Sequence, residues 1–294
     1  MTESKSFNRT STIILTIMVV ITLFPIVMIA VASFTEENTL LANGYTIFPR
    51  AWSLDAYRFI VKQGSMIFRS YGVSIFVTGF GTFLSVLLTT MLAYPMSRKN
   101  FKYAKVLSFF VFFTMLFNGG IVPSYIMWTS FFHIKNTIWA LIFPNYLISA
   151  FNVILVKNFY QNNIPDALVE AAQIDGATEM QIFRKVMLPL AKPVVATIGL
   201  FTGLTYWNDW TNGLYYVDRQ SLYSIQLLLM KIMNNIQALK ANTSLVGTGN
   251  VAATLPGTSV RMALAFIGIL PILVVYPFVQ KYLVEGVVVG AVKG

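Results

Sequence analysis

Cysteine is absent from this 294-residue chain, and histidine occurs once, as His133. Disulfides and thiolate metal sites are therefore excluded, and a multi-histidine metal cluster cannot be built within the chain. Charge is also scarce. Asp, Glu, Lys and Arg make up 11% of the residues, about half the usual share for a soluble domain. An enzyme embedded in a membrane would need a nucleophile, metal ligands or paired carboxylates, and little such material is present. No G-x-x-x-x-G-K-[ST] phosphate loop occurs, and Gly247–Thr248–Gly249 is only a partial match, so nucleotide chemistry belongs elsewhere. No row of ionisable residues crosses the apolar runs, which argues against a proton-coupled secondary carrier.

Apolar residues, by contrast, reach 56%, and the mean hydropathy is +0.67. A soluble fold of this length cannot hide that much apolar surface, so lipid must solvate most of it. The net charge is +10. Nucleic acid is one reading of such a balance, but no basic stripe with interleaved aromatics lies on a soluble segment. The other reading is that Lys and Arg gather in cytoplasmic loops.

A helix needs roughly 20 apolar residues to cross the hydrocarbon core. The uncharged run between Arg9 and Glu36 supplies the first span, an uncleaved anchor rather than a signal peptide, because it is long and carries Pro25 in its middle. A second span is expected from Tyr71 to Met96, a third from Val106 to Phe131 with Gly119, Gly120 and Pro123 inside it, and a fourth from Thr137 to Val156. A fifth runs from Lys192 to about Asp209–Asn212, and a sixth lies between Arg261 and Lys281. Arg98, Lys99, Lys102 and Lys105 mark a cytoplasmic loop, which places both termini in the cytoplasm. The segment Thr35 to Phe68 has mixed charge and is expected outside, with Trp52 and Tyr57 at the interface. So is Leu214–Ser259, helical over Tyr223–Leu239 and irregular over Ala241–Thr258. This divides the chain into an anchor helix with its external loop, residues 1–69, and a core of five spans, residues 70–294, that includes a polar loop at 157–192.

That loop is the most distinctive stretch. Pro165 suits a helix start, and Asp166 and Glu170 lie near the positive end of its dipole. Gly176 can take a left-handed conformation and end the helix. Ala171, Ala172 and Ala177 are small enough for a partner to approach closely. A second helix is expected over Thr178–Val186, with Phe183 on its apolar face, stopped by Pro189 and Pro193. An interfacial helix packed on its own bundle is the alternative reading of this region.

The sequence Glu170–Ala171–Ala172–Gln173–Ile174–Asp175–Gly176–Ala177, with Phe183 and Leu188–Pro189 after it, resembles the coupling loop of binding-protein-dependent ABC importer permeases. Tyr206–Trp207–Asn208–Asp209 is similar to a W-N-D-F signature of the carbohydrate importers of maltose-transporter type, with Trp210 where Phe is usual. The ending Gly286 to Gly294 resembles their G-V-x-x-G-A-V-K-G tail. The resemblance covers nearly the whole chain. It implies an all-α membrane protein of six transmembrane helices with a cytoplasmic coupling helix, the ABC importer permease fold, in a bacterial inner membrane. Glu170, Ala171, Ala172, Asp175, Gly176, Ala177, Phe183, Leu188 and Pro189 would then dock on an ATPase, and Gly290, Lys293 and Gly294 would reach into it. Tyr206, Trp207, Asn208 and Asp209 become candidates for the substrate path, although a capping role at the membrane edge competes for Asp209.

The family also implies partners: a second, homologous permease, an ATPase dimer that uses ATP and Mg, and a solute-binding protein outside. This chain itself would bind no cofactor or metal, contact no nucleic acid and have no catalytic residue. The cargo implied is an oligosaccharide. Arg219, Lys231 and Lys240 stand against Asp218 alone in an external segment, which suits an acidic sugar such as an oligouronate. A permease for amino acids or peptides shares the loop and is the nearest rival, ahead of a secondary carrier.

Overall fold

Apolar runs bounded by Gly, Pro and charge produce helices of very unequal length. The computed structural model describes residues 5–62, 64–246 and 257–291. Among these residues the chain is helical, with a single isolated bridge between Thr35 and Trp52. It divides into two compact units, Met1–Phe68 with Leu228–Pro271, and Arg69–Leu227 with Ile272–Gly294.

In the first unit, α1 (Lys5–Ser33) is followed by α2 (Glu37–Asn43) and α3 (Asp55–Lys62). Most of the stretch of α1 that can cross a membrane, Arg9–Ser33, is exposed, as expected of a helix solvated by lipid, and only its end, Ala32 and Ser33, is buried in the protein. Its end is fastened by Ser33 Oγ, 2.8 Å from the Tyr57 hydroxyl, and by Phe34 stacked on Tyr57 at 4.7 Å. Tyr57 is half-buried by these contacts, whereas Trp52 is 62% exposed. α13 (Ile225–Val246) outruns the expected helix, so Ala241–Val246 are helical and not irregular, while 247–256 lie outside the described residues.

α14 (Thr258–Ala291) begins on the Glu37 carboxylate. Thr258 N–H donates to Oε1 at 2.7 Å, and Ser259 donates its N–H and Oγ to Oε2 at 2.8 and 2.7 Å. These donors would otherwise be orphans of the first helical turn. A Cβ at Gly257 would lie 1.9 Å from the Glu37 carboxyl carbon, so a larger residue there would have to push the carboxylate off the helix end.

In the second unit α4 (Gly64–Ser97) is the long span. The expected third span is broken. α5 (Ala104–Leu116) ends four residues before α6 (Ile121–Ile126), which continues as a π turn, Met127–Phe131, and the two halves bend by 115°. The break is chemical: Asn118 Oδ1 accepts the Gly120 N–H at 2.7 Å, and Gly120 sits at φ +84°, open to glycine at little cost.

The expected fourth span is not one helix. Only a 3₁₀ turn, Ile138–Leu141, precedes irregular backbone through Pro144 and Asn145, the latter at φ +68°. Helix α7 starts at Ala150 and ends at Asn163. Among the described residues three helices are long and apolar enough to cross a membrane, or up to five if each of two bent pairs counts as one, so the expected crossings are not all continuous helices.

After α7 come α8 (Asp166–Ile174), α9 (Glu179–Ile182), a π turn at Phe183–Met187, α10 (Leu188–Leu190), α11 (Lys192–Trp207) and α12 (Thr211–Tyr216). α4 and α11 come close through small residues, as helices in lipid do. A Cβ at Gly203 would touch Thr82 Oγ1 at 3.5 Å, and one at Gly81 would meet the Tyr206 ring at 2.7 Å.

Two predictions follow from this packing. Gly81→Val drives its side chain into Tyr206, and overpacking of this kind costs about 1–3 kcal/mol; the yield of monodisperse protein in mild detergent should fall, while Gly79→Val, with nothing within 4 Å of its Cβ, should leave it unchanged. Glu37→Ala should raise amide hydrogen exchange at Thr258 and Ser259 without altering exchange in α4, read by mass spectrometry.

Candidate coupling surface

The polar loop folds into a short, doubly capped pair of helices. Pro165 stands just before α8 at φ −62° and ψ 132°, at the cap and not in the first turn. At the other end Gly176 adopts φ +75°. Ala177 N–H then reaches Ala172 O at 2.9 Å, and Gly176 N–H reaches Gln173 O at 3.0 Å. This pair of bonds is a Schellman cap, and it explains the D-G-A part of the motif in backbone terms. Thr178 caps α9 reciprocally with Gln181, whose Oε1 accepts the Thr178 N–H at 2.8 Å.

The helix that follows does not stop at Pro189. The π turn at Phe183–Met187 lies immediately before it, where an α-helical ladder would need the missing proline N–H. The chain turns instead at Ala191, where α10 gives way to α11 with a bend of 81°. Pro193 opens α11 as expected of a first-turn proline.

The motif has two faces. Val169, Ile182 and Phe183 are buried in a core shared with Ala93 and Met96 of α4 and Val156 of α7. Ala172, Ala177 and Leu188 are half-buried against the same core, so their small or apolar side chains let the loop lie close on its own bundle. Glu170, Ala171, Asp175, Gly176 and Pro189 face outward. So does Ile174, which is 87% exposed at the tip of α8, with Met180 53% exposed beside the turn. Neither residue was singled out from the sequence, although an isoleucine at the end of a polar helix is a visible signal. At the start of α8, Lys99 Nζ lies 2.6 Å from Asp166 Oδ2. That hydrogen bond and charge hold the Asp166 carboxyl below the usual carboxylate range and raise the Lys99 amine, though both groups are solvated.

Of the expected tail contacts, Gly290 falls within α14, while Lys293 and Gly294 lie outside the described residues.

The Tyr206–Asp209 cluster is brought together at the end of α11, mostly facing inward. Tyr206, Trp207 and Asp209 are buried, and only Asn208 is exposed. Asp209 Oδ1 accepts the N–H groups of Thr211 and Asn212 at 2.9 and 3.2 Å, which caps α12, and the Tyr146 hydroxyl at 3.2 Å. Tyr206 donates its hydroxyl to Ile142 O at 2.7 Å, and Asn212 Nδ2 donates to Pro144 O at 3.0 Å. These bonds satisfy the irregular backbone between the 3₁₀ turn and α7. No group of three or more metal-ligating His, Cys, Asp or Glu side chains occurs among the described residues.

Comparison with known proteins places this geometry. Residues 81–289 match the family described as "Binding-protein-dependent transport system inner membrane component". The chain is 38% identical over 274 residues to the "Polygalacturonan/rhamnogalacturonan transport system permease protein YtcP" of Bacillus subtilis (strain 168), covering 93% of each. It is 37% identical over 276 residues to "Protein LplC" of the same organism, covering 93% of this chain and 90% of that protein. A chain from the "Crystal structure of a bacterial ABC transporter involved in the import of the acidic polysaccharide alginate" superposes with a TM-score of 0.79 at 29% identity, over 95% of this chain and 98% of that one. The protein accordingly belongs to the inner-membrane components of binding-protein-dependent transport systems, and is a translocation subunit of an ABC importer and not an enzyme.

Proposed function

We propose that this subunit carries an oligosaccharide bearing uronate carboxylates, by alternating access driven by a separate ATPase. The observation that carries the coupling part is the outward face of α8: Glu170, Ala171 and a fully presented Ile174 on an element otherwise packed into its own core. An exposed isoleucine, with Ala171 one turn before it and Gly176 just after the helix end, fits a cleft on a partner surface. Ala171, Asp175, Gly176 and Pro189 extend that face. The buried Phe183, with Ala172, Ala177 and Leu188, holds it rigid from behind.

Support for the cargo comes from the names of the relatives, which refer to polygalacturonan, rhamnogalacturonan and, in the solved transporter, the acidic polysaccharide alginate. The mildly basic composition of residues 214–259 agrees with an anionic cargo. Residues 1–69 form the anchor and first external loop and 70–294 the core. The chain crosses the inner membrane six times with both termini in the cytoplasm, counting the broken segments at 104–131 and 137–163 as crossings. A second permease, an ATPase dimer using ATP and Mg, and a solute-binding protein complete the importer. Gly290, Lys293 and Gly294 reach toward the ATPase. At the outer end of α11, Asn208 faces the path, while Tyr206, Trp207 and Asp209 build its wall.

Nucleotide and solute can drive the cycle only if each binds the inward-open and outward-open states unequally. ATP binding closes the ATPase dimer, the docked α8 follows, and the spans open outward to receive sugar. Hydrolysis reverses the motion.

Two outcomes are expected. No atom lies within 4 Å of where a Cβ would stand on Gly176, so Gly176→Trp meets no clash inside the chain beyond the strain of φ +75°. This variant and Glu170→Ala should reach the membrane in normal amount yet lose the ATPase on affinity purification, or hydrolyse ATP without transport; normal transport by both would refute the docking assignment. In vesicles holding the full importer, oligogalacturonate with its binding protein should stimulate ATP hydrolysis at least fivefold more than the methyl-esterified, neutral form. Equal stimulation would refute the acidic cargo.

A further inference from the structure

Polar contacts from α7, α8 and α9 converge on one short stretch, the last turn of α4 and the residues just after it. Gln161 of α7 donates Nε2 to Ser97 O at 3.4 Å. Asp166, the first residue of α8, holds Lys99. Glu179, the first residue of α9, accepts the Tyr94 hydroxyl on Oε2, and accepts Gln173 Nε2 on Oε1 at 3.1 Å. Beneath them the rings of Tyr94 and Phe183 lie 5.5 Å apart.

These contacts are unequal. The Lys99–Asp166 pair is exposed on both sides, 81% and 56%, so salt and water weaken it. The Gln161 bond is long. The Tyr94–Phe183 contact is apolar and has no preferred direction, so the rings can slide while staying in touch. The bond from Tyr94 to Glu179 differs in kind. It is charge-assisted and directional, and it starts from a side chain that is only 8% exposed and sits in the last turn of the long span helix. The same carboxylate holds Gln173 near the end of α8, so one group joins α8, α9 and α4.

Connection along the chain does not replace this link. Along the chain the α8–α9 element follows α7 on one side and leads through the π turn and α10 to α11 on the other, but residues 98–149 lie between α4 and α7. Without a directional contact, the element could tilt while α4 stays still. We propose that Glu179 is a positioning residue that passes movement of the α8–α9 element to α4, with Tyr94 as the receiving group and Gln173 keeping the carboxylate in register with α8. This rests on the reading that α8 docks on an ATPase. Gln173, Glu179 and Tyr94 stand apart from the docking residues themselves. They act after docking, on how far hydrolysis moves the span.

The test uses the complete importer in vesicles, with its ATPase, second permease and binding protein. Three quantities are measured: ATPase retained per permease, basal ATP hydrolysis, and ATP consumed per sugar delivered. Tyr94→Phe, which removes one oxygen, and Glu179→Ala should each retain the ATPase and its basal rate, while ATP consumed per sugar rises at least threefold. The double variant should be no worse than either single one, because both break one link. Glu179→Gln keeps an acceptor for Tyr94, and Gln173 can turn its amide to match, so it should stay within twofold of the unaltered importer. Should Tyr94→Phe reduce assembly, Glu179→Ala reads the same link from the exposed side. Unchanged stoichiometry in Glu179→Ala, or single effects that multiply in the double variant, would overturn the proposal. Loss of the ATPase from Glu179→Ala would overturn it too, by moving Glu179 into the docking surface, and would leave the docking reading standing. Failure of the unaltered chain to hold an ATPase would remove both.

Discussion

Backbone polar groups have nowhere to go in hydrocarbon, and this constraint governs the second unit of the protein. Residues 142–149 do not form a helix, so their carbonyls need partners from outside the segment. Tyr206, Asn212 and Ser85 supply them, at Ile142 O, Pro144 O and Tyr146 O. Tyr206 can reach because Gly81 leaves room for its ring. Asn212 is in place because Asp209 caps the helix that carries it. The Tyr-Trp-Asn-Asp signature is thus first a device for keeping irregular backbone inside a membrane protein. A wall built this way can present an exposed side chain such as Asn208 without itself being dissolved by water.

The α8–α9 element meets a different demand, since one face packs on its own bundle and the exposed face must still hold its shape. Local hydrogen bonds supply the rigidity. A Schellman cap closes α8, a capping box opens α9, and a π turn carries the helix past Pro189 without a lost bond to the proline. Each cap is worth about 0.5–2 kcal/mol in isolation. Their larger effect is to fix the angle between α8 and α9, so that force applied at Ile174 displaces the pair as one body. The alanines at 172 and 177 serve closeness to the bundle, whereas Ala171 is exposed on the other face.

Much of this was legible in the sequence where a local signal decides the structure. Arg9 to Ser33 and the body of α4 follow from the length of uncharged runs. The ends of α8 follow from Pro165 and Gly176, whose conformational preferences act within a residue or two. The loop itself was recognisable because its residues recur together in a known family. What failed was any feature set by distant partners. Thr137–Val156 has the hydropathy of a span, but its carbonyls are satisfied by residues 64 and 68 positions away. Hydropathy reports that a segment avoids water and says nothing of what its backbone bonds to. The break after Leu116 lay between those cases: Gly119, Gly120 and Pro123 were visible as breakers, but the 115° bend depends on Asn118 accepting the Gly120 N–H. Glu37 shows the same limit, because nothing near it in sequence reveals that it caps a helix 221 residues on.

The contrast between the two regions bears on how movement can cross such a protein. Apolar helix faces in lipid attract one another weakly and without direction, because the surrounding tails are as apolar as the side chains. Packing alone therefore lets helices slip past one another at little cost. A transporter that couples a chemical cycle to a change of access needs contacts that resist slipping, and in an apolar setting these are hydrogen bonds with a fixed geometry. In this chain such bonds are sparse and grouped. One group, around Asp209 and Tyr206, locks α11, α12 and the irregular segment together. The other, around Glu179 and Tyr94, ties the coupling element to α4. Between them α4 and α11 meet through glycines and hydroxyl side chains, a smooth face suited to small displacement. Directional locks at the ends and a smooth face between them favour a movement in which end groups stay intact and the spans shift as rods, without unfolding anything on the way.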